Sequence, residues 1–402
     1  MSPIAPLGLA ATVDGIVAAG PPGAHLSVAV VGGPRLDACA GYAQTFDDSG
    51  SREIDLTVAH AHDLGSVTKI AGTTAMLVAL ASDGALAVDD TVGRYLPGLR
   101  GALAAATLRD LLTHRAGLWE WWPSYLGVPD GAAVDGRGVP VRADPLDVVR
   151  ALPLRYPPRT GRHYSDLGFM LLGRVVETVT AQPLPAAHAA LITGEIGTDE
   201  LRYAAPPAGH PAAAGPAGDH IERRMVATGQ PYPVSADGRL ADRFAWRTRV
   251  EVGEVNDGNA FHSFGGAAGH AGLFGTATGL HALGAAFIGA LAGDGRWPAL
   301  RRFCVEGPDA GQLLGFRAWE QAVDGCTERA IGHTGFPGIG LAVLPRHAAS
   351  VVLATNRLHV HGEPAAFDPL WQRALAAAHR TLHEAGDAPV APGAAPLLHG
   401  ST

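Results

Sequence analysis

The chain has 402 residues, 47% of them hydrophobic, which is enough for one large or two closely packed domains with a sizeable core. Its formal net charge of −8 and the lack of any cluster of Lys and Arg argue against a nucleic-acid partner. The longest apolar stretch, residues 70–88, is interrupted by Ser82, Asp83 and Gly84, so we expect no membrane span.

The first 20 residues lack a basic leader and include Asp14, which indicates that there is no signal peptide and predicts a cytoplasmic protein. Three cysteines, Cys39, Cys304 and Cys326, lie far apart without a C-x-x-C pair. This usage is typical of buried thiols in a reducing compartment, although one pair could still form a disulfide.

The N-terminal part is predicted to fold as a hairpin followed by a long central helix. Apolar alternation marks the strands, Gly and Pro mark the turns, and apolar residues three or four apart mark the helix. In chain order we predict an amphipathic segment over 10–19, strands over 25–31 and 36–43, a polar loop, the segment 56–62, and a helix from Ser66 to Asp83-Gly84.

The middle of the chain is predicted to be mainly helical, and its end returns to strands. The Pro- and Gly-rich stretch 183–249 is expected to be irregular, and the glycine-dense stretch 265–275 to form turns. The predicted helices are 89–97, 107–113, 167–179, 276–291 and 367–385, and the predicted strands are 313–319, 338–344 and 350–354.

This order predicts an α+β fold in which an antiparallel sheet is flanked by helices and carries an inserted, mainly helical lobe. Strands from both chain ends are expected to share the sheet, and the active site is expected between the lobes. The predicted division is an α/β lobe of residues 1–82 and 276–385, a mainly helical lobe of residues 83–275 with an irregular insertion, and a disordered tail of residues 386–402.

Ser66 and Lys69 are the first candidate catalytic pair. If Ser66 begins a helix, the two residues are three positions apart and their side chains lie on the same face. A lysine amine made neutral by burial or by a nearby cation can take the proton of the serine hydroxyl. The backbone N–H of Ser66 has no helical partner in the first turn and can bind a developing oxyanion. The pair alone also fits a serine N-cap followed by an exposed lysine.

Two triplets accompany this pair: Tyr164-Ser165-Asp166 and His333-Thr334-Gly335. The pair and the two triplets occur in the order and approximate spacing of three motifs of the serine β-lactamase and penicillin-binding protein superfamily. The stretches 111–118 and 268–274 also look like segments common in its class C-like branch. The chain therefore resembles that superfamily, in its class C-like branch, from about residue 25 to residue 356. The resemblance implies a β-lactamase/transpeptidase-like fold and acyl-enzyme chemistry.

The resemblance also implies roles at the matching positions. Ser66 matches the nucleophile, and Lys69 matches its proton acceptor. Tyr164 matches the tyrosine that relays a proton to and from the leaving group. The backbone N–H groups of Ser66 and Phe336 match the oxyanion hole, and His333 is the fourth candidate catalytic residue.

Two positions depart from the commonest pattern of the superfamily, since Asp166 stands where Asn is usual and His333 where Lys is usual. Both changes remove positive character, so that Lys69, Asp166 and His333 carry between zero and one positive charge in sum. An ionised Asp166 cannot donate to a substrate carbonyl, and a neutral His333 holds a carboxylate poorly. We therefore expect a neutral or cationic ester or amide as substrate, with Asp166 in a supporting role as hydrogen-bond acceptor from Lys69 or His333.

Several residues have both a binding and a structural interpretation. Three tryptophans in one loop favour a substrate-binding wall, but they could also form a core cluster. Tyr164 could be only a helix-entry aromatic, Asp166 could be the N-cap of the helix that begins at Leu167, and His114 is expected to be structural. The candidate substrate-binding residues are Trp119, Trp121, Trp122, His270, Thr334 and Gly335.

The 18 histidines raise the question of a metal site. His60-Ala61-His62-Asp63 is similar to the H-x-H-x-D-H ligand run of metallo-β-lactamases, but its Asp comes one residue early and no His follows. We predict no catalytic metal and no cofactor.

These features predict a serine hydrolase in which Ser66 attacks an ester or amide carbonyl of a small molecule and water completes the turnover. The same acyl-enzyme would also serve a biosynthetic acyltransferase, in which an amine or alcohol replaces water. The expected lack of a secretion signal favours these two over a D,D-peptidase or a β-lactamase, and a penicillin-sensing module that is acylated and stops there is a further alternative.

Overall fold

The computed structural model describes residues 7–126, 144–234, 238–323 and 326–385. The tail predicted over residues 386–402 lies outside the described residues. The strands in these ranges are β1 (Gly23–Val30), β2 (Arg35–Asp47), β3 (Gly50–Asp55), β4 (His62–Asp63), β5 (Leu201–Tyr203), β6 (Ala214–Ala217), β7 (Val250–Val252), β8 (Leu273–Gly275), β9 (Arg317–Val323), β10 (Cys326–Gly335), β11 (Ile339–Leu344) and β12 (Ala349–Thr355).

Seven of these strands form one antiparallel sheet in the order β3-β2-β1-β12-β11-β10-β9. The N-terminal strand β1 pairs with the late strand β12, from Ala24 opposite Thr355 to Val30 opposite Ala349. This confirms that strands from both ends of the chain share one sheet. Two small sheets, β4-β8-β5 and β6-β7, lie outside it.

The described residues contain more α-helix than strand. The α-helices are α1 (Leu7–Val17), α2 (Ala75–Ser82), α3 (Val92–Tyr95), α4 (Gly101–Ala105), α5 (Leu108–Leu112), α6 (Pro145–Ala151), α7 (Asp166–Thr180), α8 (Leu184–His188), α9 (Gly194–Ile196), α10 (His220–Thr228), α11 (Gly238–Arg243), α12 (Gly258–Phe264), α13 (Ala277–Ala292), α14 (Leu300–Val305) and α15 (Phe367–Ala385).

Helices cover both faces of the large sheet. Along β12, Val351 and Leu353 join the core shared with α1 and α15, while Val352 and Ala354 join the core that contains α2 and α13. Strands β11 and β12 are buried along their whole length, as expected for strands packed against helices on both sides. The α+β fold predicted from the sequence is confirmed.

The predicted central helix has three consecutive parts: a 3-10 turn (Gly65–Val67), a π-helical segment (Lys69–Thr74) and α2. Ser66 therefore lies in the 3-10 turn that precedes the α-helix. The residues from Lys69 to Leu80 are all buried, so this segment runs through the core without a polar face.

Other local predictions differ from the structure. The polar loop predicted after residue 43 is wrong, because β2 continues to Asp47 and pairs with β3. β3 is a mainly exposed edge strand, so it lacks the apolar alternation that marks a half-buried strand. The stretch 183–249 is also not irregular throughout, since short helices and the strands β5 and β6 occur in its described residues.

Two findings bear on the predicted environment of the protein. Within the described ranges, no helix is both long and apolar enough to span a membrane. Cys39 and Cys304 are free thiols, so a disulfide between these two is excluded. Burial raises the pKa of Cys39 to about 11 and that of Cys304 to about 12, which leaves both thiols protonated at neutral pH.

The packing of α15 on the sheet gives a test of the fold. A Cβ atom on Gly340 would lie 2.4 Å from Cε3 of Trp371, which is fully buried. We expect Gly340→Ala to lower the free energy of unfolding by about 1–3 kcal/mol, since the tryptophan has to shift within a packed core. Urea unfolding followed by tryptophan fluorescence measures this change.

The matched control is Gly362→Ala, because a Cβ atom there would meet nothing within 4 Å. That substitution is expected to change the free energy of unfolding by less than about 0.5 kcal/mol. Equal unfolding midpoints for both variants would contradict the packing described here.

Candidate active site

Ser66 and Lys69 lie together where the chain enters the buried segment before α2. Lys69 Nζ is 2.7 Å from Ser66 Oγ. The lysine side chain has no exposed surface, whereas Ser66 is partly exposed. The interpretation as an N-cap serine followed by an exposed lysine is therefore wrong.

Three acceptors surround the Lys69 ammonium: Ser66 Oγ, Asp166 Oδ1 at 2.7 Å and the carbonyl oxygen of His270 at 3.3 Å. An ammonium has three N–H donors, so each donor has an acceptor. Burial lowers the pKa of Lys69, but the Asp166 carboxylate and the Tyr164 phenol outweigh burial and raise it above its ordinary value. The resting group is therefore a charged ammonium and one half of a buried ion pair.

Asp166 is the first residue of α7, and its place there differs from the N-cap interpretation. The N-cap is Ser165, whose Oγ accepts from the backbone N–H of Gly168 at 3.3 Å. A carboxylate in the first turn is favoured by the helix dipole. The Asp166 carboxylate is therefore stabilised by two interactions, the dipole of α7 and the ion pair with the Lys69 ammonium.

His114 forms a hydrogen bond to the backbone of the motif Tyr164-Ser165-Asp166. Its Nδ1 accepts a hydrogen bond from the backbone N–H of Ser165 at 3.0 Å. Burial and the nearby charge of Lys69 lower the pKa of His114 to about 3, so the ring is a neutral acceptor at neutral pH. The structural role expected for His114 is confirmed.

Tyr164 lies against the reactive pair. The centre of its ring is 4.9 Å from Lys69 Nζ. Burial raises the pKa of the phenol above its ordinary value, although Lys69 acts in the opposite direction. Tyr164 is therefore a protonated phenol at neutral pH, and it lies next to Lys69.

His333 lies near the end of β10 and is a neutral imidazole. Its Nδ1 is 2.6 Å from the carbonyl oxygen of Thr334. A carbonyl can only accept, so we assign the proton to Nδ1 and the free lone pair to Nε2. Burial and the charge of Lys69 lower the pKa of His333 well below its usual range. The expected lack of positive charge at this position is confirmed.

The backbone N–H groups of Ser66 and Phe336 lie where the 3-10 turn meets the end of β10. Neither N–H donates a hydrogen bond to another described residue. A Cβ atom on Gly335 would lie 2.3 Å from the carbonyl oxygen of Leu64 and 3.4 Å from the nitrogen of Ser66. The glycine thus permits the close approach of the turn and the strand that carry the two donors.

A cavity of about 590 Å³ opens beside these groups. Its lining contains residues from each of the three distant motifs: Ser66, Tyr164, Asp166, His333, Thr334, Gly335 and Phe336. The groups that the sequence motifs predicted to act together therefore converge on one cavity.

The sequence profile of the Beta-lactamase family matches residues 9–376. The chain belongs to the beta-lactamase family. It is 29% identical over 371 residues to the N-acetylmuramyl-L-alanine amidase of Bacillus subtilis (strain 168), an alignment that covers 85% of this chain and 79% of the relative. The protein is accordingly a serine hydrolase that acts through an acyl-enzyme, as the motifs predicted.

Two solved structures have a similar fold. The D-amino acid amidase from Ochrobactrum anthropi SV3 complexed with D-phenylalanine has a TM-score of 0.64 at 19% identity, covering 93% of this chain and 99% of that chain. The class C beta lactamase from Rhodobacter sphaeroides has a TM-score of 0.61 at 20% identity, covering 94% and 99%. The predicted β-lactamase/transpeptidase-like fold is confirmed.

The three tryptophans of this beta-lactamase-family chain do not form one wall. Trp121 lines the cavity, whereas Trp122 belongs to the main hydrophobic core. Trp119 packs edge-on against Trp122 at 5.3 Å between ring centres, and its Nε1 donates to the carbonyl of Pro153. The substrate-binding interpretation is therefore wrong for Trp119 and Trp122, because both rings are used in packing.

His270 does not line the cavity either. Its side chain is 1% exposed, and Nε2 lies 2.9 Å from Asp257 Oδ1. Its contact with the reactive groups is made by the backbone carbonyl that accepts from Lys69. The expectation that its side chain faces the substrate is wrong.

Sequence reasoning missed several cavity residues, among them Glu222, Tyr232 and Arg317. Arg317 lies on β9 opposite Gly332 of β10, so strand pairing alone brings it to the third motif. Within the described residues, no carboxylate lies at ion-pair distance from Arg317. No local pattern in the sequence marks these positions, because they come from unrelated segments.

The histidine run at residues 60–62 has no metal-site geometry around it. Among the described residues, no three His, Cys, Asp or Glu side chains are arranged to hold a metal ion. His60 Nδ1 lies 3.1 Å from the backbone nitrogen of Thr57, which makes it part of the local turn.

The close approach at Gly335 gives a test of the oxyanion geometry. We expect Gly335→Ala to slow the reaction of Ser66 with a fluorophosphonate by roughly 10²–10³-fold, because the added Cβ atom pushes the turn and its donor away. Intact mass spectrometry over time measures the labelling rate.

Gly340→Ala is the control, since its new Cβ atom contacts Trp371 on the face of the sheet that packs against α15. That variant should be less stable yet label at the rate of the unmodified protein. Equal labelling rates for all three proteins would show that the approach of Gly335 to the turn is unimportant.

Proposed function

We propose that this protein hydrolyses an amide or ester of a small molecule, with Ser66 as the nucleophile. The observation that carries the proposal is the convergence of Ser66, Tyr164 and His333 on one cavity, with Lys69 Nζ buried behind it at 2.7 Å from Ser66 Oγ. The amidase activity named for the Bacillus subtilis relative supports an amide substrate.

The proton of Ser66 needs an acceptor, and the resting Lys69 ammonium is not one. Lys69 lies 2.7 Å from both Ser66 Oγ and Asp166 Oδ1. Lys69 therefore gives a proton to Asp166 and takes the proton of Ser66 as Oγ forms its bond to the acyl carbon. Asp166 then holds the extra proton, and the N–H groups of Ser66 and Phe336 stabilise the oxyanion.

Collapse of the tetrahedral intermediate breaks the bond to the leaving group. Tyr164 gives its proton to the leaving amine or alkoxide and regains one from Lys69, which is reprotonated by Asp166. This sequence restores the resting charges and leaves Ser66 acylated. Water then repeats the two steps in the acyl-enzyme and frees Ser66.

The charges near the nucleophile support neutral or cationic substrates. Lys69 and Asp166 cancel each other as an ion pair, and His333 is neutral because burial and the charge of Lys69 lower its pKa. His333 Nε2 can accept a hydrogen bond but offers no charge to a carboxylate.

A second candidate is a D,D-peptidase or β-lactamase, which acts on a substrate with a carboxylate. The observation that favours it is Arg317, which lines the cavity and has no carboxylate partner among the described residues. The Arg317 guanidinium, on the strand next to that of His333, would supply the positive charge for a substrate carboxylate that neutral His333 lacks.

The proposal also covers which molecule accepts the acyl group from Ser66 and in which compartment the protein works. An amine or alcohol that enters the cavity in place of water would make the protein an acyltransferase by the same acyl-enzyme. The free thiols of Cys39 and Cys304 support the predicted cytoplasmic location.

The proton path through Asp166 is tested by Asp166→Asn. An amide takes no proton from Lys69, so we expect acylation at pH 7 to slow by roughly 10²–10⁴-fold. Loss of the carboxylate also lowers the raised pKa of Lys69, so the remaining activity should increase with pH as the ammonium deprotonates. Burst kinetics with a short p-nitrophenyl ester between pH 6 and 10 measure both effects.

Asp110→Asn is the control, because Asp110 is a buried carboxylate paired with Arg159 outside the cavity. It should leave the burst rate and its pH dependence unchanged. An Asp166→Asn variant that matches the unmodified protein in both would exclude Asp166 from the proton path.

The two substrate classes are separated by Arg317→Gln. We expect the unmodified protein to prefer p-nitrophenyl esters over nitrocefin, an anionic β-lactam, and the variant to hydrolyse the esters equally well. A charged hydrogen bond contributes about 1.5–3 kcal/mol, so a binding role for Arg317 would show as a roughly 10–150-fold loss with nitrocefin alone. A preference for nitrocefin that depends on Arg317 would replace our first proposal with the second.

A further inference from the structure

Asp63 ends the histidine run that the proposed chemistry does not use, and its carboxylate joins two parts of the active site. Oδ1 accepts from the backbone N–H of Gly65 at 2.9 Å, and Oδ2 accepts from the backbone N–H of Asn256 at 2.7 Å. Each oxygen thus has a donor from a different segment of the chain.

The first segment is the turn that carries the nucleophile. Gly65 precedes Ser66 and has φ = +46°, a left-handed conformation that favours glycine. A Cβ atom on Gly65 would lie 2.4 Å from Pro337 Cδ and 3.4 Å from the nitrogen of Phe336. The turn held by Asp63 is therefore packed against the segment that carries the second oxyanion donor.

The second segment leads back to Lys69. Asn256 is followed by Asp257, whose Oδ1 lies 2.9 Å from His270 Nε2. The backbone carbonyl of His270 accepts from Lys69 Nζ, which also donates to Ser66. Hydrogen bonds and the peptide bonds between neighbouring residues thus close a ring that starts at Asp63 and includes the nucleophile. The ring passes through Asn256, Asp257, His270, Lys69, Ser66 and Gly65.

We propose that Asp63 is a positioning residue whose ionised carboxylate holds the oxyanion turn and the segment behind Lys69 in one arrangement. The inference rests on the proposed function, because it assumes that Ser66 is the nucleophile. The ionised carboxylate accepts from both backbone donors with charged oxygens, which makes both hydrogen bonds strong. In protonated Asp63 the hydroxyl oxygen is a weaker acceptor and its O–H has to point away from the backbone donor, so one of the two contacts is weakened and the turn is then less well held.

The surroundings of Asp63 support an ionisation in the working pH range. Burial raises its pKa to about 6, its two N–H contacts and Arg247 act in the opposite direction, and Asp257 adds to the increase. The titratable and charged groups that face it from the surrounding elements are His62, Arg247, Glu251, Glu254 and Asp257.

The test is the rate at which a fluorophosphonate labels Ser66 between pH 5 and 8, measured by intact mass. In the unmodified protein we expect the rate to increase with an apparent pKa near 6. In Asp63→Asn we expect a rate at least tenfold lower at pH 7 and no such increase. Circular dichroism and the melting temperature of each variant separate this effect from unfolding.

Glu328→Gln is the matched control. Glu328 is also a buried carboxylate that accepts a backbone N–H, that of Arg346 at 3.2 Å, and burial raises its pKa to about 7. It lies on β10 but does not line the cavity, so its variant should label like the unmodified protein at every pH.

The outcomes are distinct. If Asp63→Asn loses stability but keeps the labelling rate and its pH dependence, Asp63 is merely structural and the inference is wrong. A flat profile for the unmodified protein between pH 5 and 7 overturns it as well, even when the variant does not fold. If the unmodified protein labels no faster than Ser66→Ala, the proposed function itself fails.

Discussion

The active site depends on the buried ion pair between Lys69 and Asp166. Lys69 has no exposed surface, and a buried ammonium without a partner would cost several kcal/mol. Asp166 offsets this cost from the N-terminus of α7, which lies nearly 100 residues further along the chain. The same contact that makes the lysine tolerable in the core also sets the charge state from which the reaction starts.

The large sheet provides the other half of the site. β10 ends beside the 3-10 turn, and glycines at positions 65 and 335 let the backbones approach more closely than side chains would allow. Both proposed oxyanion donors are backbone groups, so their separation is set by how the turn and the strand pack. A change in the packing of the turn against the strand would therefore alter the distance between the two N–H groups, even when no side chain of the site changes.

Much of this could be predicted from the sequence. The motifs around Ser66, Tyr164 and His333 identify the superfamily, and the strand and helix patterns give the α+β fold. The sequence left open whether Asp166 accepts from Lys69 or from His333, because only the folded chain brings the carboxylate within 2.7 Å of Lys69 Nζ.

Arg317 was missed because strand register, rather than sequence spacing, places it beside β10. The prediction of a substrate-binding wall at Trp119 and Trp122 was wrong for a different physical reason. A large aromatic side chain packs as well in a core as in a binding wall, and composition alone does not distinguish the two uses. The edge strand β3 was missed because an exposed strand has no apolar alternation to reveal it.

The pairing of β1 with β12 has a consequence for synthesis of the protein. The proposed nucleophile Ser66 emerges from the ribosome before Phe336, its proposed partner in the oxyanion hole, which is made roughly 270 residues later. Contacts between such distant segments form late in folding, after the long intervening loop has closed. We therefore expect a growing chain to carry a serine that is not yet reactive until the segment around Phe336 has been made and has folded against the turn.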